Sequence, residues 1–199
     1  MGIFLESNYK KNILKKEEYG ELDSNENKIV KQIKYCIGKI KNNNIKDNNI
    51  KYGIGFLCKI PSQDKSQLLP VLITSNYIIE KDIIEGNIIE FSLYKNIFKI
   101  QFDNNRKTYI NDKYKIAFIE ILENDGLNDK NFLEIDNKIH KKTKKEINKL
   151  YYINYQNKEL NYFNGIINDF NIMGKIDSFN ISDLGGPIMN SENFKVIGI

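Results

Sequence analysis

The strongest indication of the fold is the sequence Ser182-Asp183-Leu184-Gly185-Gly186-Pro187-Ile188, which Val196-Ile197-Gly198-Ile199 follows a few residues later. Two adjacent glycines and a proline between apolar residues predict a tight turn that leads into an extended strand. The polar tetrapeptide Asn190-Ser191-Glu192-Asn193 predicts a hairpin tip, from which the chain returns as a second strand. We therefore expect a strand pair here, preceded by a backbone turn with little room for side chains.

The composition points to an ordinary globular protein rather than to a basic binding module. The chain has 199 residues, of which 41% are hydrophobic and 28% charged, which is enough for one or two domains with a buried core. Its net charge of +4 comes from 30 basic and 26 acidic residues, and Arg106 is the only arginine. Because proteins that read phosphates and bases favour arginine forks and clustered basic patches, the composition argues against a nucleic-acid partner.

The amino terminus and the cysteines indicate the compartment. The first apolar run is too short for a signal peptide, and no apolar run approaches the length that spans a membrane. An intracellular, cytoplasmic protein without a membrane partner is therefore expected. Cys36 and Cys58 are predicted to be free thiols in strands, with a disulfide between neighbouring strands as the alternative. Their separation matches no metal or redox motif, so neither a metal nor a cofactor is predicted.

Short runs with turn residues between them predict strands along most of the chain. The predicted strands are 34–40, 52–60, 68–74, 88–93, 98–102, 116–122, 150–155 and 160–163, with shorter ones after Gly165 and Ile172. A polar loop is predicted at 42–49, and a short helix through Ile139, Thr143 and Ile147 within the polar stretch 123–148. Strands at this near-regular spacing predict an all-β barrel or sandwich.

Three segments resemble motifs of the chymotrypsin-like serine peptidases. Val71-Leu72-Ile73-Thr74-Ser75-Asn76-Tyr77-Ile78 resembles the apolar strand that ends in the catalytic histidine, and Gly53-Ile54-Gly55-Phe56-Leu57 resembles the strand behind it. Tyr114-Lys115-Ile116-Ala117-Phe118-Ile119-Glu120-Ile121 resembles the strand of the orienting aspartate, and Ser182–Ile188 resembles the Gly-Asp-Ser-Gly-Gly-Pro loop of the nucleophile. The resemblance covers about residues 34–199.

The resemblance implies an all-β double barrel. The expected division is a polar N-terminal extension at 1–30, a first β-barrel at 31–125, a connector at 126–148 and a second, partial β-barrel at 149–199. The second barrel is expected to be incomplete because the family adds another strand and a helix after the point where this chain stops.

The same resemblance places the catalytic triad at Tyr77, Lys115 and Leu184, where none of the three functions is kept. A neutral phenol is a poor base at pH 7, lysine reverses the charge of the aspartate, and leucine has no atom that attacks a carbonyl. The oxyanion turn would consist of Ser182, Asp183 and Leu184, with serine in place of the usual glycine. Since losing one member of a triad already abolishes most of the rate, the sequence predicts an inactive serine peptidase homologue.

Several alternatives stay open. An inactive homologue could bind protein or peptide segments by strand addition, or be a decaying gene product. A second hypothesis is an active hydrolase with an unorthodox site centred on Ser182 or Cys58, and a third is a basic β-barrel that binds nucleic acid through lysines on one face. Asp112, three residues before Lys115, is expected to point the other way. His140, the only histidine, lies in a lysine-rich stretch and is expected to be solvated.

Overall fold

The computed structural model describes residues 2–4, 11–12, 24–44, 49–62, 67–79, 86–136, 150–156, 159–168 and 185–198. Within these ranges the chain forms one α-helix, α1, which spans Ser24–Cys36, and a series of mostly short strands. The strands are β1 Gly2–Phe4, β2 Lys11–Asn12, β3 Ile37–Asn44, β4 Asn49–Pro61, β5 Leu68–Ser75, β6 Ile88–Leu93, β7 Asn96–Gln101, β8 Thr108–Asn111, β9 Ile116–Glu120, β10 Leu133–Glu134, β11 Leu150–Gln156, β12 Glu159–Asn168, β13 Ile188–Asn190 and β14 Val196–Gly198. Two 3-10 turns, Glu123–Asp125 and Asp129–Asn131, lie between β9 and β10.

The first sheet has the strand order β7-β6-β3-β4-β5-β9-β8, and β10 pairs in parallel with β4. Its other pairs are antiparallel. The strands at the two ends of this order, β7 and β8, follow each other in the sequence. Between them, the Arg106 guanidinium donates to the carbonyl oxygens of Gln101 on β7 (2.8 Å) and Glu120 on β9 (2.7 Å). This arginine therefore ties β7 to the β8–β9 pair.

The second sheet has the strand order β1-β12-β11-β13-β14, with β2 also paired to β12. β11 and β12 form a hairpin in a register that runs from Leu150 opposite Gly165 to Gln156 opposite Glu159. Strands β1 and β2 come from the stretch expected to be a polar extension, so parts of that stretch belong to a sheet. The division of the chain at residues 30, 125 and 148 stays a prediction.

Two apolar clusters cover the two faces of the first sheet. Leu57 and Leu72 belong to the first cluster, together with buried residues of β3, β6, β7 and β9. Their sequence neighbours Phe56 and Ile73 belong to the second, because successive residues of a strand point to opposite faces. The second cluster also contains residues of α1 and of the second sheet, among them Tyr151, so it is the core that joins the helix to both sheets.

The strand predicted from Lys34 is wrong at its start, because the chain is helical up to Cys36 and β3 begins at Ile37. Side chains spaced three or four residues apart fall on one side of a helix. The residues of α1 that are buried in this way are Ile29, Val30, Ile33 and Cys36. Cys36 therefore lies in a helix and not in a strand. The helix packs on a core formed by distant residues, which the alternation of apolar residues in its own sequence does not indicate.

Other departures from the prediction are smaller. Strand β8 was not predicted, because its residues are exposed or half-buried and show no alternation. The polar loop at 42–49 is shorter than expected, since β3 continues to Asn44 and β4 begins at Asn49. The strands predicted at 160–163 and after Gly165 are one strand, β12. The helix predicted through Ile139 and the strand predicted after Ile172 lie outside the described residues.

The hairpin predicted around Asn190–Asn193 is confirmed, since β13 and β14 pair antiparallel with Ile188 opposite Gly198. The strands predicted at 52–60, 68–74, 88–93, 98–102, 116–122 and 150–155 are also present, with ends that differ by a few residues. In the described part of the chain, no helix has the length and apolar character needed to cross a membrane.

Candidate functional site

The first part of the candidate site is the end of β5. The hydroxyl of Thr74 is buried and donates a hydrogen bond to the carbonyl oxygen of Ile54 on β4 (2.6 Å). The backbone N–H of Tyr77 donates to the hydroxyl oxygen of Ser75 (3.2 Å), which holds the turn that follows the strand. The Tyr77 side chain is 45% exposed, and the Lys51 ammonium lies 5.0 Å from its ring centre. Position 77 thus presents a phenol ring beside a cation.

Lys115 lies against this turn. Its carbonyl oxygen accepts a hydrogen bond from the backbone N–H of Asn76 (3.1 Å), and its side chain is exposed. Lys115 has a φ of 57°, in the left-handed region that non-glycine residues seldom occupy. The structure therefore brings the backbone of Lys115 into contact with that of Asn76, the residue before Tyr77.

Asp112 belongs to the same group of residues, contrary to expectation. Residues 112–115 form a turn, so the alternation of a strand does not apply to them. The Asp112 carboxylate accepts a hydrogen bond from the side-chain amide of Asn76 (3.1 Å). It is a carboxylate at the edge of the site whose bond to Asn76 holds the turn.

The chain reaches this place again at Gly185, while Ser182, Asp183 and Leu184 lie outside the described residues. Gly185 has a φ of 106°, which favours glycine. A β-carbon at Gly185 would lie 2.7 Å from the carbonyl oxygen of Ile54 and 3.0 Å from the backbone nitrogen of Ser75. The residue that follows Leu184 is thus packed against the end of β5, close to the turn that carries Tyr77.

Gly186 makes the matching contact with the second sheet. A β-carbon here would lie 1.8 Å from the carbonyl oxygen of Ile153 on β11. The N–H of Ile153 donates to the carbonyl oxygen of Pro187 (3.3 Å), which fixes the turn to that strand. The two glycines are needed because the turn passes between two backbones, one from each sheet.

A buried carboxylate that the sequence did not reveal anchors the hairpin after this turn. Asp136 is 2% exposed and accepts hydrogen bonds from the side-chain amides of Asn190 (3.1 Å) and Asn193 (2.9 Å). Its N–H donates to the carbonyl oxygen of Val196 on β14 (2.9 Å). No sequence motif marks Asp136, because its partners are more than fifty residues away.

The cysteines do not form a nucleophilic site. Both are free and buried. Burial raises the pKa of the Cys36 thiol and of the Cys58 thiol from 9.0 to about 12, so both are protonated at neutral pH. His140 lies outside the described residues. Within the described ranges, no group of three or more His, Cys, Asp or Glu side chains could hold a metal ion.

Comparisons with known proteins identify the architecture. No protein-family model matches the sequence, and no curated protein matches it. Among solved structures, the chain is similar to HL collagenase, with a TM-score of 0.51 and 12% identity over 84% of this chain and 80% of the collagenase chain. It is also similar to a mutant of the tobacco etch virus protease, with a TM-score of 0.50 and 12% identity over 90% of this chain and 70% of the protease chain. Taken with the two antiparallel sheets, these likenesses show that the chain has the chymotrypsin-like protease fold.

Proposed function

We propose that this chain is a chymotrypsin-like protease domain that has lost catalysis and binds extended protein segments beside Tyr77. One observation carries the proposal. The bond from Asn76 to Lys115 and the contact of Gly185 with Ser75 gather three distant segments, each next to or containing a position that the family uses for its triad. The triad positions that the resemblance assigns to these segments, 77, 115 and 184, are tyrosine, lysine and leucine in this sequence.

These side chains cannot carry out acyl transfer together. The reaction needs a nucleophile, a base that takes its proton and a group that orients the base. Leu184 has no nucleophilic atom, and the exposed ammonium of Lys115 cannot replace an orienting carboxylate. Asp112 does not restore the set, because its carboxylate is bonded to Asn76 and there is no imidazole for it to orient at position 77.

Cys58 is not a credible replacement nucleophile. Its side chain is fully buried in the core that joins the two sheets, and its raised pKa keeps the thiol protonated. A reactive cysteine requires a thiolate that the substrate can reach. Of the two nucleophiles named for an active hydrolase, Ser182 and Cys58, only Ser182 is therefore still a candidate.

A binding role is compatible with the exposed groups around Tyr77. The phenol ring offers apolar contact area, and a chymotrypsin-like sheet edge can pair with an extended peptide by strand addition. Binding of this kind needs none of the triad chemistry. It would therefore survive the replacements at positions 77, 115 and 184.

Inactivity is tested by covalent labelling with a fluorophosphonate probe. We expect no labelling of the folded chain. Labelling that Ser182→Ala abolishes would establish an active hydrolase centred on Ser182, and labelling that survives this substitution would reveal a different nucleophile. Either result would overturn the proposal.

Binding is tested with peptides selected from a random displayed library, followed by NMR titration. We expect resonances of Tyr77, Lys115 and Gly185 to shift and each peptide to be recovered intact. Tyr77→Ala should weaken binding about tenfold, as truncation of a contact aromatic commonly does, while Ile97→Ala, which alters a 65% exposed side chain on β7, should not. Cleaved peptide, or shifts confined to other surfaces, would contradict the proposed function.

A further inference from the structure

A second site is suggested by a cavity of about 530 Å³ between α1, the segment that contains β10, and the β13–β14 hairpin. Ligand pockets for small molecules have volumes in the range of about 300 to 1,000 Å³. Tyr77, Lys115 and Gly185 do not line this cavity. It is thus a separate place in the molecule, and its ligand need not be a peptide.

The floor of the cavity is apolar. The residues that form it are Tyr35, Cys36, Phe132, Leu133 and Phe194. The Cys36 thiol donates only a weak hydrogen bond, to the carbonyl oxygen of Lys130 (3.7 Å), and burial raises its pKa to about 12. It therefore adds apolar surface and offers no reactive thiolate.

Two uncharged polar side chains of the wall, Gln32 and Asn193, are bonded within the protein. The Gln32 side chain donates to the carbonyl oxygen of Phe194 (2.7 Å) and accepts from the Tyr151 hydroxyl. The Asn193 side chain donates to Asp136 (2.9 Å) and accepts from the N–H of Lys195 (3.0 Å). These bonds hold both amides in place within the wall of the cavity.

The charged side chains of the wall differ in this respect. Lys195 is paired with Glu134 at 2.6 Å. Lys31 on α1 and Lys130 on the 3-10 turn are both exposed, and neither ammonium group has an ion-pair partner in the described part of the chain. The cavity is thus lined by three lysines and one glutamate, and two of the lysine ammonium groups are available to a ligand beside the apolar side chains.

We propose that this cavity binds a small organic acid, whose apolar body packs on Phe132 and Phe194 and whose carboxylate lies between the ammonium groups of Lys31 and Lys130. Charge complementarity selects an anion, because Lys31 and Lys130 place two ammonium groups without ion-pair partners among the described residues at this cavity. The apolar floor selects a ligand with a hydrocarbon or aromatic body over a bare inorganic ion.

The proposal is tested with three probes on the full chain: 3-phenylpropionate, the uncharged 3-phenylpropanol, and inorganic phosphate. We expect 3-phenylpropionate at millimolar concentration to shift the amide resonances of Phe132, Leu133 and Phe194 in NMR spectra. The uncharged alcohol should bind about tenfold more weakly, because it lacks the carboxylate that the lysines attract. The double variant Lys31→Glu/Lys130→Glu should lower the affinity for the acid by about tenfold or more, because it replaces that attraction by repulsion. Both lysines are exposed, so the variant should fold.

The matched control is Lys99→Glu, which reverses an exposed lysine on β7 away from the cavity and should leave the affinity unchanged. Equal binding of acid and alcohol would show that the charge has no role and would overturn the proposal. If phosphate binds as tightly as 3-phenylpropionate, the apolar side chains do not contribute to binding, and the proposal is overturned as well. The proposal also fails if no probe shifts the cavity resonances, or if the double variant binds the acid as tightly as the control does.

Discussion

Replacing Gly186 with alanine should strain the turn between the two sheets. The new β-carbon would lie 1.8 Å from the carbonyl oxygen of Ile153 and 3.0 Å from its carbonyl carbon. These are backbone atoms of β11, which is held by β12 on one side and β13 on the other, so no flexible side chain can move aside. Turn and strand must separate, and the hydrogen bond from Ile153 to Pro187 is lost with them.

The magnitude follows from these two losses. Overpacking costs about 1 to 3 kcal/mol and a lost hydrogen bond about 1 kcal/mol, so the free energy of unfolding should fall by about 3 kcal/mol. For a chain of this size, the unfolding temperature should fall by roughly 6 to 12 °C. Urea and thermal unfolding followed by circular dichroism measure both quantities.

Gly198→Ala is the matched control. Its β-carbon would meet only the Ile188 side chain, at 3.6 Å, which is ordinary contact. We expect a change of no more than about 0.5 kcal/mol. If Gly186→Ala is as stable as Gly198→Ala, the turn does not pass between the two backbones.

Three further predictions concern buried groups. Arg106 and Asp125 form a bidentate salt bridge (2.7 and 2.8 Å) with side chains that are 2% and 4% exposed, so Arg106→Met should destabilise the fold by about 3 to 5 kcal/mol in urea unfolding. Lys107→Ala removes a side chain that is 79% exposed and lies 3.9 Å from Glu120, so it should cost less than about 1 kcal/mol. Equal costs would contradict the role of burial. Cys36 and Cys58 should resist alkylation at pH 8 until the chain unfolds, and rapid labelling of the native state would disprove their burial. Folding raises the pKa of both thiols from 9.0 to about 12, so the unfolded chain releases these protons first and the free energy of unfolding should fall as pH rises from 9 to 12. In the double variant Cys36→Ala/Cys58→Ala the free energy of unfolding should fall less steeply over this pH range. An unchanged slope would show that the two thiols do not cause the pH dependence.

The features that the sequence predicted best are those set by neighbouring residues. Two glycines and a proline determine the turn before β13, and a short polar run determines the hairpin tip at Asn190–Asn193. The apolar strands β4, β5 and β9 were found for the same reason, since their alternation or continuous apolar character is local.

The features it missed depend on distant partners. Helix α1 buries Ile33 against a core to which both sheets contribute, and the lysine-rich sequence of the helix does not indicate that core. Arg106 stood out as the only arginine, but its bond to Asp125 and its link between β7 and β9 appear only in the folded chain. The hydrogen bond from Asn76 to Lys115 could not be predicted from the sequence either, although sequence motifs identified both segments as parts of the site.

We infer that positions 77 and 184 share one site, and an engineered disulfide between them tests this arrangement. In Tyr77→Cys/Leu184→Cys, mild oxidation should link the two positions, as mass spectrometry of the linked peptide would show, because a disulfide needs α-carbons within about 7 Å. The native Cys36 and Cys58 are buried and should stay reduced. In Ile97→Cys/Leu184→Cys no link should form, since Ile97 on β7 lies three strand spacings, about 14 Å, from the β4 segment that Gly185 contacts. Linkage in the second pair and not in the first would show that positions 77 and 184 do not share a site.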